Sequence, residues 1–239
     1  MRVKWRDFDP ALFSFAHDPV LILDEFWTDG ERHGFQHAMG QGAWTMLRDM
    51  PGVQADFPHS GNWSKAELGM QERKHLLDRL QLACIANYIE SLPGISGRHV
   101  SFNYYSYGAG DCLLTHDDRV QRGGSDAVRR IALVTYLHDE WHPDWGGELI
   151  VYEAKPPLKG GGTPKVAITH CVSPDPGSLV LFTVPRLHRV CRVDPTCGEH
   201  RRLSIAGWFL TSQAPSPEGQ GERSSAGSGL TARRVSSDR

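Results

Sequence analysis

Three pairs in this chain place a histidine two residues before an acid: His116/Asp118, His138/Glu140 and His142/Asp144. Such a pair can offer an imidazole and a carboxylate to one metal ion. With 12 histidines and 28 acids in 239 residues, 12 × 28/239 gives about 1.4 such pairs by chance. The pattern alone therefore decides nothing, and context must separate the three. His116 and Asp118 close the apolar run Cys112–Leu114 in "GDCLLTHDDRV". Side chains two apart on a strand share a face. The run would aim His116 and Asp118 at one point and send Asp117 away. The other two pairs lie in "HDEWHPDWGG", where Pro143, Gly146 and Gly147 mark a loop and that relation is lost.

An iron site of the two-histidine, one-carboxylate type needs a third ligand. The candidate is His188 in "GSLVLFTVPRLHRVCRV", after the apolar run Leu179–Val184 and a bend at Pro185; the alternative is a surface turn residue. In "RRLSIAGWFL", alternation puts Arg202, Ser204, Ala206 and Trp208 on one face and Leu203, Ile205, Gly207 and Phe209 on the other. A buried cation needs a partner. Either that face is solvated with Arg202 on the rim, or it lines a pocket. In a pocket Arg202 would hold a carboxylate by two parallel hydrogen bonds, with a hydroxyl from Ser204.

The elements that must position these residues are β-rich. After residue 98 come eight short runs: "HVSFNYYSYG", "DCLLTH", "RRIALVTYL", "GELIVYE", "KVAITHCV", "GSLVLFTV", "HRVCRV" and "RRLSIAGWFL". Gly, Pro and Asp clusters separate them and no helical pattern intervenes. This predicts an antiparallel sandwich or jelly roll. Before residue 98 the chain is mixed. "DPVLILDEFWT" reads as a strand and turn. "TDGERHGFQHAMG" reads as a helix capped by Thr28 or Asp29 and ended at Gly40. Apolar spacing predicts helix over 65–92, stopped by Pro93 and Gly94. Residues 1–98 are thus expected to support a core at 99–213. Residues 214–239, rich in Ser, Gly, Pro and Arg, are expected to be a disordered tail.

Composition narrows the function classes. A formal charge of -2 gives no global field for nucleic acid or an acidic membrane. The five cysteines form no C-x-x-C pair, which disfavours a zinc knuckle and suits reduced thiols. The charged N-terminus does not fit a signal peptide and no apolar stretch is long enough to span a membrane, so a soluble cytoplasmic protein is expected. "KPPLKGGGTPK" contains no G-K-[ST] and is no phosphate loop.

Taken together, His116-x-Asp118, His188 seventy residues on (188 − 118) and Arg202-x-Ser204 fourteen further (202 − 188) resemble the 2-oxoglutarate and Fe(II)-dependent oxygenases. "LLTHDD", "RRIALVTYLHDEWHPDWGGEL", "GSLVLFTVPRLHRV" and "RRLSIAGWF" look like the prolyl-hydroxylase branch, in particular the catalytic domain of ribosomal-protein prolyl hydroxylases. The likeness covers about residues 103 to 210. It implies a mainly β fold with flanking helices and a double-stranded β-helix, or jelly-roll, core. It implies that His116, Asp118 and His188 ligate iron. Arg202 would bind the distal carboxylate of 2-oxoglutarate, with Tyr136 hydrogen-bonded to the same carboxylate, Tyr107 in the pocket and Ser204 beside Arg202. Trp208 would lie near the metal. His138 stands where the family often has Asn, so it touches substrate or nothing. Both tyrosines have core packing as an alternative.

The implied activity is hydroxylation of an unactivated C–H bond, coupled to decarboxylation of 2-oxoglutarate to succinate and CO2. Fe(II), 2-oxoglutarate and O2 would be required, with ascorbate a candidate requirement for full activity. The acceptor would be a prolyl residue of a protein or peptide, or a small metabolite. A second, degenerate domain like that of the eukaryotic ribosomal enzymes is not expected, which leaves the acceptor open. A carboxylate at position 118 disfavours halogenation. Two other readings are a non-catalytic β-sandwich sensor and a metal-dependent cupin-like enzyme that does not use 2-oxoglutarate. The segments 57–67, 117–130 and 155–166 are the candidates for substrate contact.

Overall fold

The computed structural model describes residues 1–119, 127–155 and 165–213. The expected tail at 214–239 lies outside the described residues, as do parts of two of the substrate-contact segments. In chain order the elements are β1 (Arg2–Lys4), β2 (Val20–Asp24), α1 (Asp29–Gly40), β3 (Thr45–Met46), α2 (Pro51–Asp56), β4 (Ser64–Glu67), α3 (Met70–Arg79) and α4 (Ala83–Glu90). There follow β5 (Ile95–Tyr107), β6 (Leu113–His116), β7 (Ala127–Tyr136), β8 (Leu149–Lys155), β9 (Lys165–Val172), β10 (Leu179–Thr183), β11 (His188–Val190) and β12 (Arg202–Gln213). All eight β-rich runs are strands.

A major sheet of eight strands, in the order β1-β2-β10-β7-β12-β5-β4-β3, faces a minor sheet of four, β6-β11-β8-β9. Pairing is antiparallel throughout, except between β1 and β2. This is the jelly-roll arrangement, with helices covering the outer face of the major sheet. Alternation shows how the layers are sorted. In β10, Leu179 and Leu181 join a core that includes Leu76 and Ile85 of the helices, while Val180 and Phe182 pack between the sheets with Leu149 and Val151. β10 is therefore apolar on both faces, which explains its unbroken apolar run.

The N-terminal segment adds strands to both edges of the major sheet: β1 and β2 beside β10, β4 and β3 beside β5. Thr28 caps α1: its hydroxyl accepts from Glu31 N, and Glu31 carboxylate accepts from Thr28 N. The helix expected over 65–92 is instead a strand and two helices. Ser64–Glu67 pair with β5, so tertiary pairing overrides local preference there. The helical path then breaks between Leu80 and Leu82, where Leu82 is extended at φ -93, ψ 124. Both leucines are buried. At about 100° per residue, two positions two apart point nearly opposite ways on one helix. Breaking the helix lets both reach the core.

Candidate active site

The minor sheet brings the two histidines together. His116 ends β6 and His188 begins β11, and they are directly opposite in the antiparallel register. Their ring centroids are 4.1 Å apart. Phe57 packs edge-on against His116 and Phe182 against His188. Each ring has its Nδ1 against a backbone carbonyl: Leu114 O at 2.7 Å for His116 and Arg186 O at 2.8 Å for His188. Carbonyl oxygens only accept, so both Nδ1 atoms carry a hydrogen and both Nε2 atoms are turned toward Asp118. The Nε2 atoms lie 3.4 Å from the two carboxylate oxygens of Asp118. Fixing the tautomer through the other nitrogen is how metal-binding histidines are held.

Asp118 reaches this point by a different route from strand alternation. β6 ends at His116, and Asp118 has φ 60, in the left-handed region. Aspartate tolerates that conformation better than most side chains. The turn swings the carboxylate back toward the histidines. Asp117 points elsewhere, accepting from Arg119 N and pairing with its guanidinium. The Asp118 carboxylate is further held by the Trp208 indole N–H at 2.7 Å and by Arg129 at 3.3 Å. Arg129 also donates to the Asp118 carbonyl and sits with its Cζ over Trp208, 3.6 Å from the ring centroid.

The electrostatics suit a metal. Burial alone would lift the Asp118 carboxyl, but His116, His188 and Trp208 outweigh it and bring it down to about 2. Burial, with His116 as neighbour, lowers His188 to about 4. The centre is thus a carboxylate and a neutral imidazole. The ligand atoms of His116, Asp118 and His188 all lie within 4.8 Å of one another and could hold a metal ion. Among the described residues they are the one such cluster.

Facing them, the major sheet lines a cavity of about 770 Å³. Its inner rows are read from the register: Tyr107 opposite Arg202, and Tyr105 opposite Ser204, itself opposite Tyr136. Arg202 is 1% exposed. It donates from Nε to Gly147 O at 2.8 Å and from Nη2 to Tyr136 Oη at 3.3 Å, with the rings of Tyr107 and Tyr136 beside it. None of these partners is negative, and among the described residues no carboxylate pairs with it. A buried cation with only neutral partners is suited to pair with an anionic ligand. Ser204, also 1% exposed, and Ala206 continue the lining along β12. The donor set and this cation fit iron and an oxoacid together.

The remaining expected residues are placed as follows. Tyr107 lines the cavity, and Tyr136 packs behind it against Arg202. His138 does not line it: Nε2–H donates to Pro174 O at 2.7 Å and Nδ1 accepts from Leu203 N at 3.2 Å. Both ring nitrogens are spent on backbone, which leaves none for a substrate. Trp63 and Lys65 of segment 57–67 and Arg129 of segment 117–130 line the cavity, as those segments were expected to, and Tyr105 lines it unexpectedly. Trp63 and Lys65 fall within the segment 57–67, whose tendency to read as helix from residue 65 conceals that alternate side chains face inward.

A model of the 2OG-Fe(II) oxygenase superfamily matches residues 101–210. Residues 101–210 are a 2OG-Fe(II) oxygenase domain. Fe(II) and 2-oxoglutarate are the cofactors of that class of enzyme, and the domain resembles the prolyl hydroxylases. It is similar to mouse (Mus musculus) prolyl 3-hydroxylase OGFOD1, 37% identical over 101 residues, covering 41% of this chain. This chain spans only 16% of that protein's length. Solved structures share the fold. A Trichoplax adhaerens prolyl hydroxylase, in complex with a hypoxia inducible factor oxygen degradation domain peptide fragment, aligns with TM-score 0.53 and 21% identity, covering 82% of this chain and 85% of that one. HygX from Streptomyces hygroscopicus, with nickel, 2-oxoglutarate and hygromycin B bound, aligns with TM-score 0.53 and 16% identity, covering 83% and 84%. No helix among the described residues is long and apolar enough to cross a membrane.

Proposed function

We propose that this oxygenase hydroxylates a prolyl residue of a protein or peptide, with 2-oxoglutarate converted to succinate and CO2. The observation that carries the reading is Arg202, a buried cation with no counter-ion among the described residues, on the cavity wall that faces the His116–Asp118–His188 cluster. Such a cation calls for an anionic ligand beside the metal, which 2-oxoglutarate supplies and an apolar ligand does not. The prolyl acceptor is supported by the 37% identity to prolyl 3-hydroxylase OGFOD1 over the oxygenase domain.

His116, Asp118 and His188 would hold Fe(II) on one face and leave its other positions for cosubstrate and O2. Bound together there, Fe(II), 2-oxoglutarate and O2 supply the oxidising power for C–H hydroxylation. This chain's residues do the rest. Arg202 would fix the distal carboxylate of 2-oxoglutarate by a charge-assisted pair, with Ser204 adding a hydroxyl contact and Tyr136 holding the guanidinium in place from behind. That contact sets the cosubstrate's direction from a rigid strand. Trp208 and Arg129 hold Asp118 in its turn, so the carboxylate does not rotate away. Phe57, Phe182 and Leu187 line the cavity around the metal side and exclude water.

The test is succinate release from 2-oxoglutarate with Fe(II), read beside a +16 mass screen of prolyl peptides and small metabolites. Prolyl peptides gaining one oxygen, with turnover abolished in His116→Ala and His188→Ala, is the expected result. Oxygen gain confined to non-peptide metabolites would refute the prolyl acceptor. Absence of 2-oxoglutarate binding would refute the enzyme class.

A further inference from the structure

We propose that β4 forms an anion-binding wall of the cavity, and that the acceptor molecule carries a carboxylate which docks on Trp63 and Lys65. This rests on the oxygenase reading and names the chemical class of its substrate. β4 and the residue before it lie outside the matched residues 101–210.

Trp63 is 4% exposed and lines the cavity, yet its indole N–H has no hydrogen-bond partner. It stacks on Tyr107, centroids 5.7 Å apart at 21°, and lies tilted against Tyr105 at 5.7 Å, so the indole is held in place. A buried N–H of this kind carries its desolvation penalty until something supplies an acceptor. Lys65 is two residues on, opposite Tyr105 in the register, and lines the same cavity. It is half-buried. Among the described residues no carboxylate pairs with it.

The other cations of the cavity wall are committed. Arg129 pairs with Asp118 and Arg119 with Asp117. Arg202 is the anchor for the cosubstrate. Lys65 is the cation that remains, and Trp63 is the neutral donor beside it. Residues two apart on a strand project to one side about 6–7 Å apart. An ammonium and an N–H dipole at that spacing accept a carboxylate by charge-assisted bonds. An acidic side chain close to the target carbon of a peptide fits, as does the carboxylate of a small acid.

The test uses the Zn(II)-loaded protein with 2-oxoglutarate bound, which does not turn over. Nitrogen-15 spectra of the tryptophan indoles report on Trp63, whose signal is assigned by its loss in Trp63→Phe. The probes are N-acetyl-glutamyl-prolinamide, its glutaminyl counterpart and N-acetyl-glutamate. The expected result is a saturable shift of the Trp63 signal with the glutamyl peptide, at least tenfold weaker with the glutaminyl one. Lys65→Met is expected to erase that difference while 2-oxoglutarate affinity stays within twofold. Tighter binding of the peptide than of N-acetyl-glutamate assigns the carboxylate to a peptide; the reverse assigns it to a free acid. Equal shifts with both peptides, no Trp63 shift with any acid, or a glutamyl preference that survives in Lys65→Met would each overturn the proposal. Loss of 2-oxoglutarate binding with the glutamyl shift intact would strike the oxygenase reading instead.

Discussion

Replacing Arg202 by Met separates function from stability with opposite signs. In the folded protein Arg202 is a cation at 1% exposure, and among the described residues its hydrogen-bond partners are Gly147 O and Tyr136 Oη. Met keeps much of the length and removes the charge. Two neutral-acceptor bonds are lost, each worth about 1 kcal/mol net. Against that, an uncompensated buried charge costs several kcal/mol. The protein without cosubstrate should therefore melt no lower than the parent, and by this balance slightly higher.

Cosubstrate binding should move the other way. Hydrogen bonds to charged groups contribute about 1.5–3 kcal/mol each. Losing two of them weakens 2-oxoglutarate binding by roughly 10²-fold or more at 1.4 kcal/mol per tenfold. At a concentration 100 times the parent Kd, ligand stabilises the parent by about 2.7 kcal/mol, or roughly 5–10 °C in a chain of this size. At that same concentration the variant sits at or below its own Kd. It gains about 0.4 kcal/mol or less, near 1 °C. Thermal melts of the Zn(II)-loaded proteins, with and without 2-oxoglutarate, measure both quantities. A variant that retains the full 2-oxoglutarate shift would falsify the assignment of Arg202. A variant that melts more than about 10 °C below the parent without ligand would make Arg202 a structural residue instead.

Three further outcomes follow from particular contacts. Trp208→Phe removes the N–H held 2.7 Å from Asp118 and should weaken metal binding 10- to 100-fold, the usual cost of a lost supporting bond; competition against a chromophoric chelator measures it, and an unchanged constant counts against the positioning role. Gly207→Ala would set a Cβ 1.9 Å from Ser101 O and 2.8 Å from Phe102 Cα, both backbone atoms of β5, so β5 and β12 must part. A loss of about 3 kcal/mol is expected in urea unfolding, and a loss below about 0.5 kcal/mol would show that the strands yield freely. Burial lowers His138 from 6.5 to about 4, so the unfolded chain takes up a proton first as pH falls. Its contribution is whole above pH 6.5 and is lost on descending toward pH 4, about 3 kcal/mol in all. His138→Gln should flatten stability across that window, and an unchanged slope would place the titration elsewhere.

The strands and the metal ligands were open to sequence reasoning for a physical reason. Each β-rich run is bounded by turn residues, and runs such as Leu179–Thr183 are apolar on both faces because two cores bury them. The face of β12 that carries Arg202, Ser204, Ala206 and Trp208 follows from strand period alone, and all four line the cavity. What stayed hidden depends on partners far along the chain. Residues 65–67 read as the start of a helix, because nothing local announces that β5 will pair with them. The left-handed turn at Asp118 has no glycine to mark it, and a simple alternation argument reaches the right carboxylate by the wrong backbone. Arg129 could be read as one of two adjacent arginines at a strand start; only the fold lays it over Trp208.

The division of labour between the sheets follows from the same geometry. The ligand cluster is built on the minor sheet, from β6, the turn after it and β11. Arg202, the cation proposed to hold the oxoacid, stands on β12, near the middle of the major sheet. Both belong to the matched domain, so the chemistry is set by residues 101–210. The cavity's outer wall is not. Met50 precedes α2, Val53 lies in it and Phe57 follows it, while Trp63 and Lys65 come from the β4 edge. Those residues sit on strands and a short helix added to the edge of the sheet, where substitution leaves the β12 and β11 scaffold untouched. On the proposed reading, varying the first hundred residues would change the acceptor while leaving the His116–Asp118–His188 cluster and Arg202 in place. Swapping residues 50–67 with those of a related oxygenase should accordingly move acceptor preference and leave 2-oxoglutarate affinity in place. A swap that altered both together would mean that the β4 edge and the Arg202 row act as one unit, through the stacked rings of Trp63 and Tyr107.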